Sequence, residues 1–213
     1  TGMTNEFLSV TVKKYAGGQE FSVELLDRSS PVFFDELVRQ MEFAYAKATD
    51  VAVIAGLVAG GTDGGNRTLD ASGALDFVSD ASVAVYKATL GTATNILVSP
   101  EQWGALMNLA DNGRPIYQNL IGNSNQGGNL TGQSVRGNLL GLNLRVSRNL
   151  ATAAPTGDNS LIIINPDSYT WYESSRFRLE TNVVATGQIK VAYYGYGALA
   201  TKVGAGAYRF MVA

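Results

Sequence analysis

The strongest constraint on the fold is a long amphipathic run between Pro31 and Gly56. Apolar residues recur there at spacings of three and four, which is the pattern of one helix face. Ser29 and Ser30 precede the proline, and this order favours a helix start. A serine hydroxyl can accept a hydrogen bond from a free backbone amide of the first turn. Proline has no backbone N–H, and at the first helical position that N–H would have no partner within the helix. The run predicts a helix of about 25 residues and roughly 37 Å. Such a rod is long for one small domain.

Residues with strand-like alternation precede this helix. Apolar and polar residues alternate from Leu8 to Val12 and again from Phe21 to Leu25, with Gly17 and Gly18 between them. This pattern predicts two extended arms that flank the glycine pair. A two-armed ribbon has too little apolar surface to be stable alone, so it must lie on the chain's own core or on an adjacent subunit.

The middle of the chain combines a glycine-rich segment with two shorter helix patterns. Gly60 to Asn66 is predicted as a loop by its composition, and a helical pattern follows Ser72. Asn95 to Val98 reads as a short buried strand that leads directly into a helix. Ser99 is predicted to cap that helix, with Gln102 reaching back towards the cap.

The last third of the chain is strand-like. Between Gly122 and Gly137 nearly every residue is small or polar, which predicts a surface loop. Five later segments have strand patterns: Leu139 to Val146, Leu161 to Ile164, Thr170 to Thr181, Gln188 to Lys202 and Ala207 to Val212. Because helices come first and most strands come later, we expect an α+β fold.

The composition excludes several functional classes. The 213 residues include no cysteine and no histidine. Disulfides, thiolate nucleophiles, imidazole bases and the commonest zinc ligands are therefore absent, and we expect no catalytic residue, no cofactor and no metal. The net charge is −2, and no block of lysine or arginine occurs. We therefore expect no electrostatic grip on a nucleic acid backbone.

Targeting signals are not evident in the sequence. No run approaches the roughly 20 apolar residues needed to cross a bilayer, and no secretory signal opens the chain, so we expect no membrane association. The chain begins with Thr1 instead of methionine. We expect that an upstream segment has been removed, cleaved or left out.

Taken in order, several segments resemble the Hong Kong 97-type major capsid proteins of tailed phages. Phe21 to Ser29, with Val12-Lys13-Lys14 ahead of it, resembles the arm of the family's extended loop that returns to its spine helix. Ile96 to Trp103 is similar to the strand-proline-tryptophan-helix element of the axial domain and is the most specific stretch. Later segments also resemble the family: Leu139 to Val146, where Asn143 replaces a common proline, and Asn165 to Asp167, which begins the last strand set. Phe177 to Glu180 and Tyr193 to Phe210 resemble the peripheral hairpin and its return into the axial domain.

The resemblance implies a division of the chain. Residues 1–27 would be the remainder of the extended loop and would lie across the next subunit. Residues 28–58 and 170–191 would form a peripheral domain with a long spine helix and a β-hairpin. Residues 59–169 and 192–213 would form the axial domain. The glycine-rich loops, Gly60 to Gly65 and Gly122 to Gly137, would be the hinges that adjust the subunit to different rings.

The resemblance also implies a structural role instead of an enzymatic one. The subunit would assemble into pentamers and hexamers of an icosahedral capsid that encloses double-stranded DNA, without sequence-specific contacts to it. Scaffold, portal and cement proteins are the implied partners. Assembly would occur in the host cytoplasm and the product would be part of the virion.

Two chemical expectations follow from the family. Seven charged residues are candidates for contacts between subunits, although each could equally be part of a solvated surface: Lys13, Lys14, Glu24, Arg28, Arg176, Arg178 and Glu180. Some relatives join their subunits by a lysine–asparagine bond that a glutamate in the late strands promotes. Gln188 to Lys202 contains no carboxylate, so we expect no such bond and a shell that is held by noncovalent contacts or by a cement protein.

Three other interpretations remain. An encapsulin-type nanocompartment shell shares the fold but encloses an enzyme. A small hydrolase would need paired carboxylates, such as Asp35 with Glu36 or Asp76 with Asp80, which helix-start stabilisation and solvated faces explain more simply. A simple binding module would remain a monomer or dimer, whereas a capsid subunit would form very large particles.

Overall fold

The computed structural model describes residues 7–28, 32–111, 114–115, 117–118, 136–139, 141–150, 160–183 and 187–212. The described residues divide into two compact units. Unit 1 contains the described residues up to Val53 together with Trp171–Ala200, and unit 2 contains Ile54–Thr170 and those that follow Ala200. Each unit combines helix with sheet, as the predicted α+β class requires.

Four α-helices occur among the described residues. They are α1 (Val23–Arg28), α2 (Val32–Gly60), α3 (Ala71–Thr89) and α4 (Pro100–Asn108). The long helix is confirmed and has 29 residues. It continues past the predicted end at Gly56 because Leu57 and Val58 are buried, and their burial offsets the roughly 1 kcal/mol that a glycine costs inside a helix. The predicted cap at residues 29–31 lies outside the described residues.

The described strands are numbered in chain order. They are β1 (Lys13–Ser22), β2 (Thr62–Arg67), β3 (Asn95–Val98), β4 (Ala110–Asp111), β5 (Arg114–Pro115), β6 (Tyr117–Gln118), β7 (Arg136–Leu139), β8 (Leu142–Val146), β9 (Ser160–Ile164), β10 (Tyr169–Glu173), β11 (Phe177–Val183), β12 (Gln188–Thr201) and β13 (Ala207–Val212). The predicted strands β3, β9, β12 and β13 are confirmed within one residue. Two segments that were predicted as single strands are each divided, the first at a turn where Gly141 has a φ of +89° and the second between β10 and β11.

The sheet of unit 1 has β12 at its centre. Strand β1 pairs antiparallel with it along its whole length, from Lys13 opposite Gly197 to Ser22 opposite Gln188. The other edge of β12 pairs with β10 and β11. Helix α2 packs on this sheet, because Phe34, Leu37 and Met41 contact a buried cluster of Phe21, Ile189 and Val191.

Two predictions for the start of the chain are wrong. Gly17 and Gly18 do not separate two arms, because neither has a positive φ and β12 provides a continuous partner for β1. The residues from Val23 to Leu25 are helical instead of extended. The hydroxyl of Ser22 accepts a hydrogen bond from the Leu25 amide at 3.2 Å, which caps the first turn of α1 and ends the strand.

Unit 2 is built around a seven-stranded sheet in the order β2-β13-β9-β3-β8-β7-β6. Helix α3 covers it through Ala74, Phe77, Val78 and Ala81, which belong to the same buried cluster as the central strands. The rings of Phe77 and Phe210 meet edge to face, with centroids 5.2 Å apart.

The predicted loop from Gly60 to Asn66 is wrong, because β2 occupies most of it and pairs parallel with β13. Gly64 is needed for close packing and not for a turn, since a Cβ there would meet the rings of Phe210 and Tyr208. The predicted loop from Gly122 to Gly137 lies outside the described residues, except for its last two.

The predicted cap at Ser99 is confirmed, and the cap of α3 is a residue that the sequence analysis did not single out. Ser99 caps α4 as predicted, because its hydroxyl accepts a hydrogen bond from the Gln102 amide at 3.3 Å. Ser72 does not cap α3. Asp70 does so instead, and its carboxylate accepts from the Gly73 amide at 2.6 Å and from the Ser72 hydroxyl at 3.0 Å. These hydrogen bonds lower the pKa of Asp70, and the bond from the Gly73 amide has the largest effect.

The buried cap predicts a difference between two serines. Replacement of Ser99 by alanine should lower the free energy of unfolding by about 1–2 kcal/mol, because it removes the partner of a buried helix amide. Ser72→Ala is the matched control and should stay within about 0.5 kcal/mol, since that hydroxyl is exposed. Urea denaturation of dissociated subunits measures both. Equal losses in the two variants would contradict this assignment of the caps.

Candidate intersubunit surface

All seven charged residues that the sequence suggests for intersubunit contacts lie in unit 1. Two are on β1, two are in α1, and the other three lie on β11 or just before it. Every one of them is exposed. The sequence-based set therefore forms part of one unit's surface and is not scattered over the chain.

Some of these charges have partners in their own chain. Arg178 contacts Glu180 at 3.3 Å, and its guanidinium lies 4.4 Å from the centre of the Phe34 ring on α2. The Lys14 ammonium lies 4.8 Å from the centre of the Tyr194 ring. Cation–π contacts of this kind contribute about 0.5–1 kcal/mol at exposed sites, so these residues stabilise unit 1 itself.

A polar cluster that the sequence analysis missed surrounds Glu173. Its carboxylate accepts hydrogen bonds from Arg176 at 3.1 Å and from the Trp171 indole at 3.3 Å. Burial raises the pKa of Glu173, but these hydrogen bonds outweigh the burial and hold the pKa below its ordinary value. Arg176 also lies 5.4 Å from the centre of the Tyr45 ring. The sequence signal that could have revealed this cluster is the close spacing of Trp171, Glu173 and Arg176.

Tyr45 joins this cluster to α2. Its ring is buried and meets Tyr15 and Tyr193 edge to face. Burial raises the pKa of its hydroxyl, and the nearby Glu173 carboxylate raises it further, although the hydroxyl makes no hydrogen bond of good geometry. A Cβ at Gly195 would meet this hydroxyl, so the glycine lets the helix approach β12 closely.

Three of the seven candidates have neither an ion pair nor a cation–π contact within the described part of the chain. They are Lys13, Glu24 and Arg28. A charge without a partner in its own subunit can form one across a contact without losing an existing interaction. These three are therefore the strongest of the seven candidates for contacts between subunits.

The most unusual surface is that of α2. By length and composition this helix is apolar enough to cross a membrane, and only 22% of its most apolar stretch is buried. The sequence-based statement that no run approaches this length is therefore wrong. The helix also carries Lys47 and Asp50 within its second half. Its exposed apolar surface includes Val32 and Phe43.

Other large apolar side chains are exposed in both units. Unit 1 exposes apolar residues before β1 and along β11: Phe7, Leu8, Val12, Phe177 and Leu179. Unit 2 exposes Leu75, Val83, Tyr86 and Leu90 on or just after α3. Monomeric proteins rarely leave large apolar patches uncovered, so this distribution indicates surfaces that meet other chains.

The described residues offer little for catalysis. No group of three or more acidic residues among them is placed to hold a metal ion. Asp80, half of one carboxylate pair considered above, forms an ion pair with Arg67 instead. Asp35 lies in the first turn of α2, where an acidic residue stabilises the positive end of the helix.

Solved structures share this fold. One from Gordonia phage Cozz has a TM-score of 0.70 and 17% identity, covering 96% of this chain and 71% of its own. The mature capsid of bacteriophage PhiM1 gives a TM-score of 0.68 at 12% identity, covering 100% of this chain and 76% of that one. The capsid of an empty GTA particle gives 0.69 at 16% identity, covering 96% and 74%.

The sequence comparisons address the family directly. A search among curated protein sequences found no match. A model of the family described as phage capsid protein matches residues 6–213, which is nearly the whole chain. This match and the shared fold confirm the predicted Hong Kong 97-like capsid fold and the predicted role as a structural subunit of an icosahedral capsid. The chain therefore belongs to the phage capsid protein family.

Proposed function

We propose that this chain closes into rings of five and six copies, and that these rings tile a shell around packaged double-stranded DNA. The observation that carries the proposal is the apolar surface of α2: in the described part of the chain, only 22% of its most apolar stretch is buried, and Val32 and Phe43 are exposed. In a capsid, other copies of the same subunit are available to bury this apolar surface. Burial of apolar surface at about 25 cal/mol per Å² makes such cover the main source of stability for an assembly.

Ring formation follows from the kind of contact. Subunits that contact each other through two different surfaces close into a ring when the rotation between successive copies allows it. The charges of unit 1 that have no ion pair within the described residues, and the exposed apolar residues of both units, provide such unlike surfaces. Many modest contacts spread over a large area then replace any single tight site.

The proposed division into domains is supported by the two compact units. Unit 1 contains most of α2 and of the proposed peripheral domain, 28–58 and 170–191, but it also contains β1 and residues 192–200, which the proposal gave to the extended loop and to the axial domain. Unit 2 contains most of the proposed axial domain, 59–169 and 192–213, together with residues 54–58. A hinge at Gly60 to Gly65 is no longer part of the proposal, because β2 is paired there.

The proposed partners follow from charge and family. A net charge of −2 is compatible with an inner surface that encloses DNA without strong electrostatic binding to its phosphates. Portal, scaffold and cement proteins remain proposed partners, and the host cytoplasm remains the proposed place of assembly. Membership of the phage family favours a genome shell over a nanocompartment.

Assembly of the full-length purified protein tests the proposal. We expect electron micrographs of closed particles, with rings of five and six in averaged images, and light scattering from masses of millions of daltons. The alternative of a binding module predicts a monomer or dimer. A well-folded chain that stays monomeric at all salt concentrations and pH values would overturn the proposal.

Charge reversal should separate contacts between subunits from those within one. Lys13→Glu should reduce particle yield severalfold and change subunit stability by less than about 0.5 kcal/mol, since Lys13 has no ion pair within the described residues. Arg178→Glu should also lower subunit stability by about 1 kcal/mol, because it places a second negative charge beside Glu180 and removes the contact with Phe34.

Sedimentation of assembled particles and urea denaturation of subunits measure the two effects. Lys202→Glu, an equal charge change at an exposed lysine that follows β12, is the matched control and should assemble normally. Normal assembly of Lys13→Glu would remove this lysine from the set of contacts.

The absence of a covalent bond between subunits is a separate prediction. Particles boiled in detergent should run as one band near the mass of the chain, because β12 has no carboxylate to promote a lysine–asparagine bond. Its Lys190 is instead held in an ion pair with Glu20 at 2.6 Å. Chemically crosslinked particles on the same gel show that larger species can be resolved. A ladder of oligomers without crosslinker would contradict the prediction.

A further inference from the structure

Helix α3 of unit 2 has two apolar sides. The side that carries Phe77 is buried against the sheet of its unit. On the opposite side Leu75, Val83 and Tyr86 are 41%, 50% and 53% exposed. Successive residues of a helix are turned by about 100°, so these three residues lie within about 80° of one another and form one stripe. The outer face of a surface helix is normally polar, so an apolar stripe there is unusual.

Leu90 extends this stripe beyond the end of the helix. It directly follows α3, has a φ of +55° and is 81% exposed. Glycine is the usual residue in this left-handed conformation at a helix end, because a side chain is strained there. Within the described residues the leucine side chain gains little cover in return. Its place at the end of an apolar stripe points to a contact with another molecule.

The order of residues along the stripe is complementary to itself. Serines occupy its middle, and larger apolar or aromatic residues lie towards its two ends. When a second copy of the helix lies antiparallel on the first, a single register pairs every member of the stripe: Leu75 with Leu90, Ser79 with Tyr86, and Ser82 with Val83. Each serine then faces a larger side chain, and helices pack closely when ridges of one enter grooves of the other in this way.

Charges on one flank of the stripe favour the same direction. Asp76, Asp80 and Lys87 are turned by about 100° to 140° from Leu75 and lie on one flank. Asp80 pairs with Arg67 of its own chain, whereas Asp76 and Lys87 have no ion pair within the described residues.

The same flanks of two helices meet when the helices are antiparallel. The register above then brings each Lys87 to within about 3 Å, measured along the axis, of Asp76 in the other copy. A parallel pair would instead bring Asp76 to Asp76 and Lys87 to Lys87, and opposed like charges disfavour that arrangement. The apolar stripe and the charges beside it are therefore both satisfied by an antiparallel second copy.

We propose that two dissociated subunits pair through α3, antiparallel and around a two-fold axis. One patch meets the same patch on the other copy, so the contact closes at two subunits. Rings need unlike surfaces, so this pairing is a separate contact and does not rest on the proposed function. The 19 residues of α3 span about 28 Å, which makes the contact small, and we expect a weak dimer with a dissociation constant in the micromolar range.

Charge exchange between two variants tests the pairing. Asp76→Lys opposes two lysines at each end of the pair, and Lys87→Asp opposes two aspartates there. Each variant alone should therefore dimerise at least fivefold more weakly than the unmodified subunit. A mixture of the two variants should restore the dimer, because every lysine then faces an aspartate. Sedimentation equilibrium of dissociated subunits measures the association.

The mixture separates pairing from folding, because each variant is present in it with the same fold as alone. Lys202→Asp is the matched control, since this exposed lysine lies outside α3, and it should dimerise as the unmodified subunit does. An unmodified subunit that stays monomeric through the micromolar range would overturn the proposal. A mixture that dimerises no better than either variant alone would overturn it as well.

Cysteine pairs test the register, because the chain contains no cysteine. Chains with Ser79→Cys are mixed with chains that carry Tyr86→Cys and are oxidised as dissociated subunits. We expect a disulfide between the two kinds of chain on a nonreducing gel. Leu75→Cys in place of Tyr86→Cys is the matched control and should give at least tenfold less product, since the antiparallel register separates it from Ser79 of the other copy by about 16 Å along the axis. More product from the Leu75 pair would indicate parallel helices and overturn the proposal.

The outcomes distinguish this pairing from the proposed function. Particles that form from subunits that never pair through α3 would overturn the pairing and leave the proposed function intact. Subunits that pair through α3 and never form particles would contradict the proposed function and support the pairing.

Discussion

The uncovered apolar surface of α2 is the constraint on which the rest of the structure depends. A helix of 29 residues packs one face on the sheet of unit 1 through Leu37 and Met41, yet only 22% of its most apolar stretch is buried, and Val32 and Phe43 are exposed. Free energy of apolar burial is the dominant favourable term in protein association. Cover of the exposed part of this helix by other copies would add apolar burial, and this accords with membership of a capsid family.

The sequence predicted elements whose signal is local. The period of α2, the cap at Ser99 and the strand at Asn95–Val98 depend on residues within one or two turns, and the structure confirms them. Two of the errors concern glycine. Gly17 and the Gly60 to Asn66 segment were predicted as breaks, because a glycine within a paired strand or at a close approach has the same sequence signal as one that forms a turn.

The candidate site was predicted only in part. The charged residues of unit 1 were found by their type and by family resemblance, but their partners were not. Phe34 lies 144 residues before Arg178 and still contacts its guanidinium, and no local pattern encodes such a distance. Tyr45 was missed for the same reason, whereas Glu173 was missed although its partners Trp171 and Arg176 are close to it in the sequence. The exposed side of α2 was also missed, because periodicity shows that a helix is apolar and does not show what covers it.

Chemical accessibility of α2 tests the account most directly. The cysteine-free chain allows a single thiol at Phe43, on the exposed side of the helix, through the variant Phe43→Cys. The rate of thiol labelling is compared between dissociated subunits and assembled particles. The account predicts rapid labelling of the subunit and at least tenfold slower labelling in the particle. Equal rates in the two states would show that no other copy covers the helix there and would contradict the central claim.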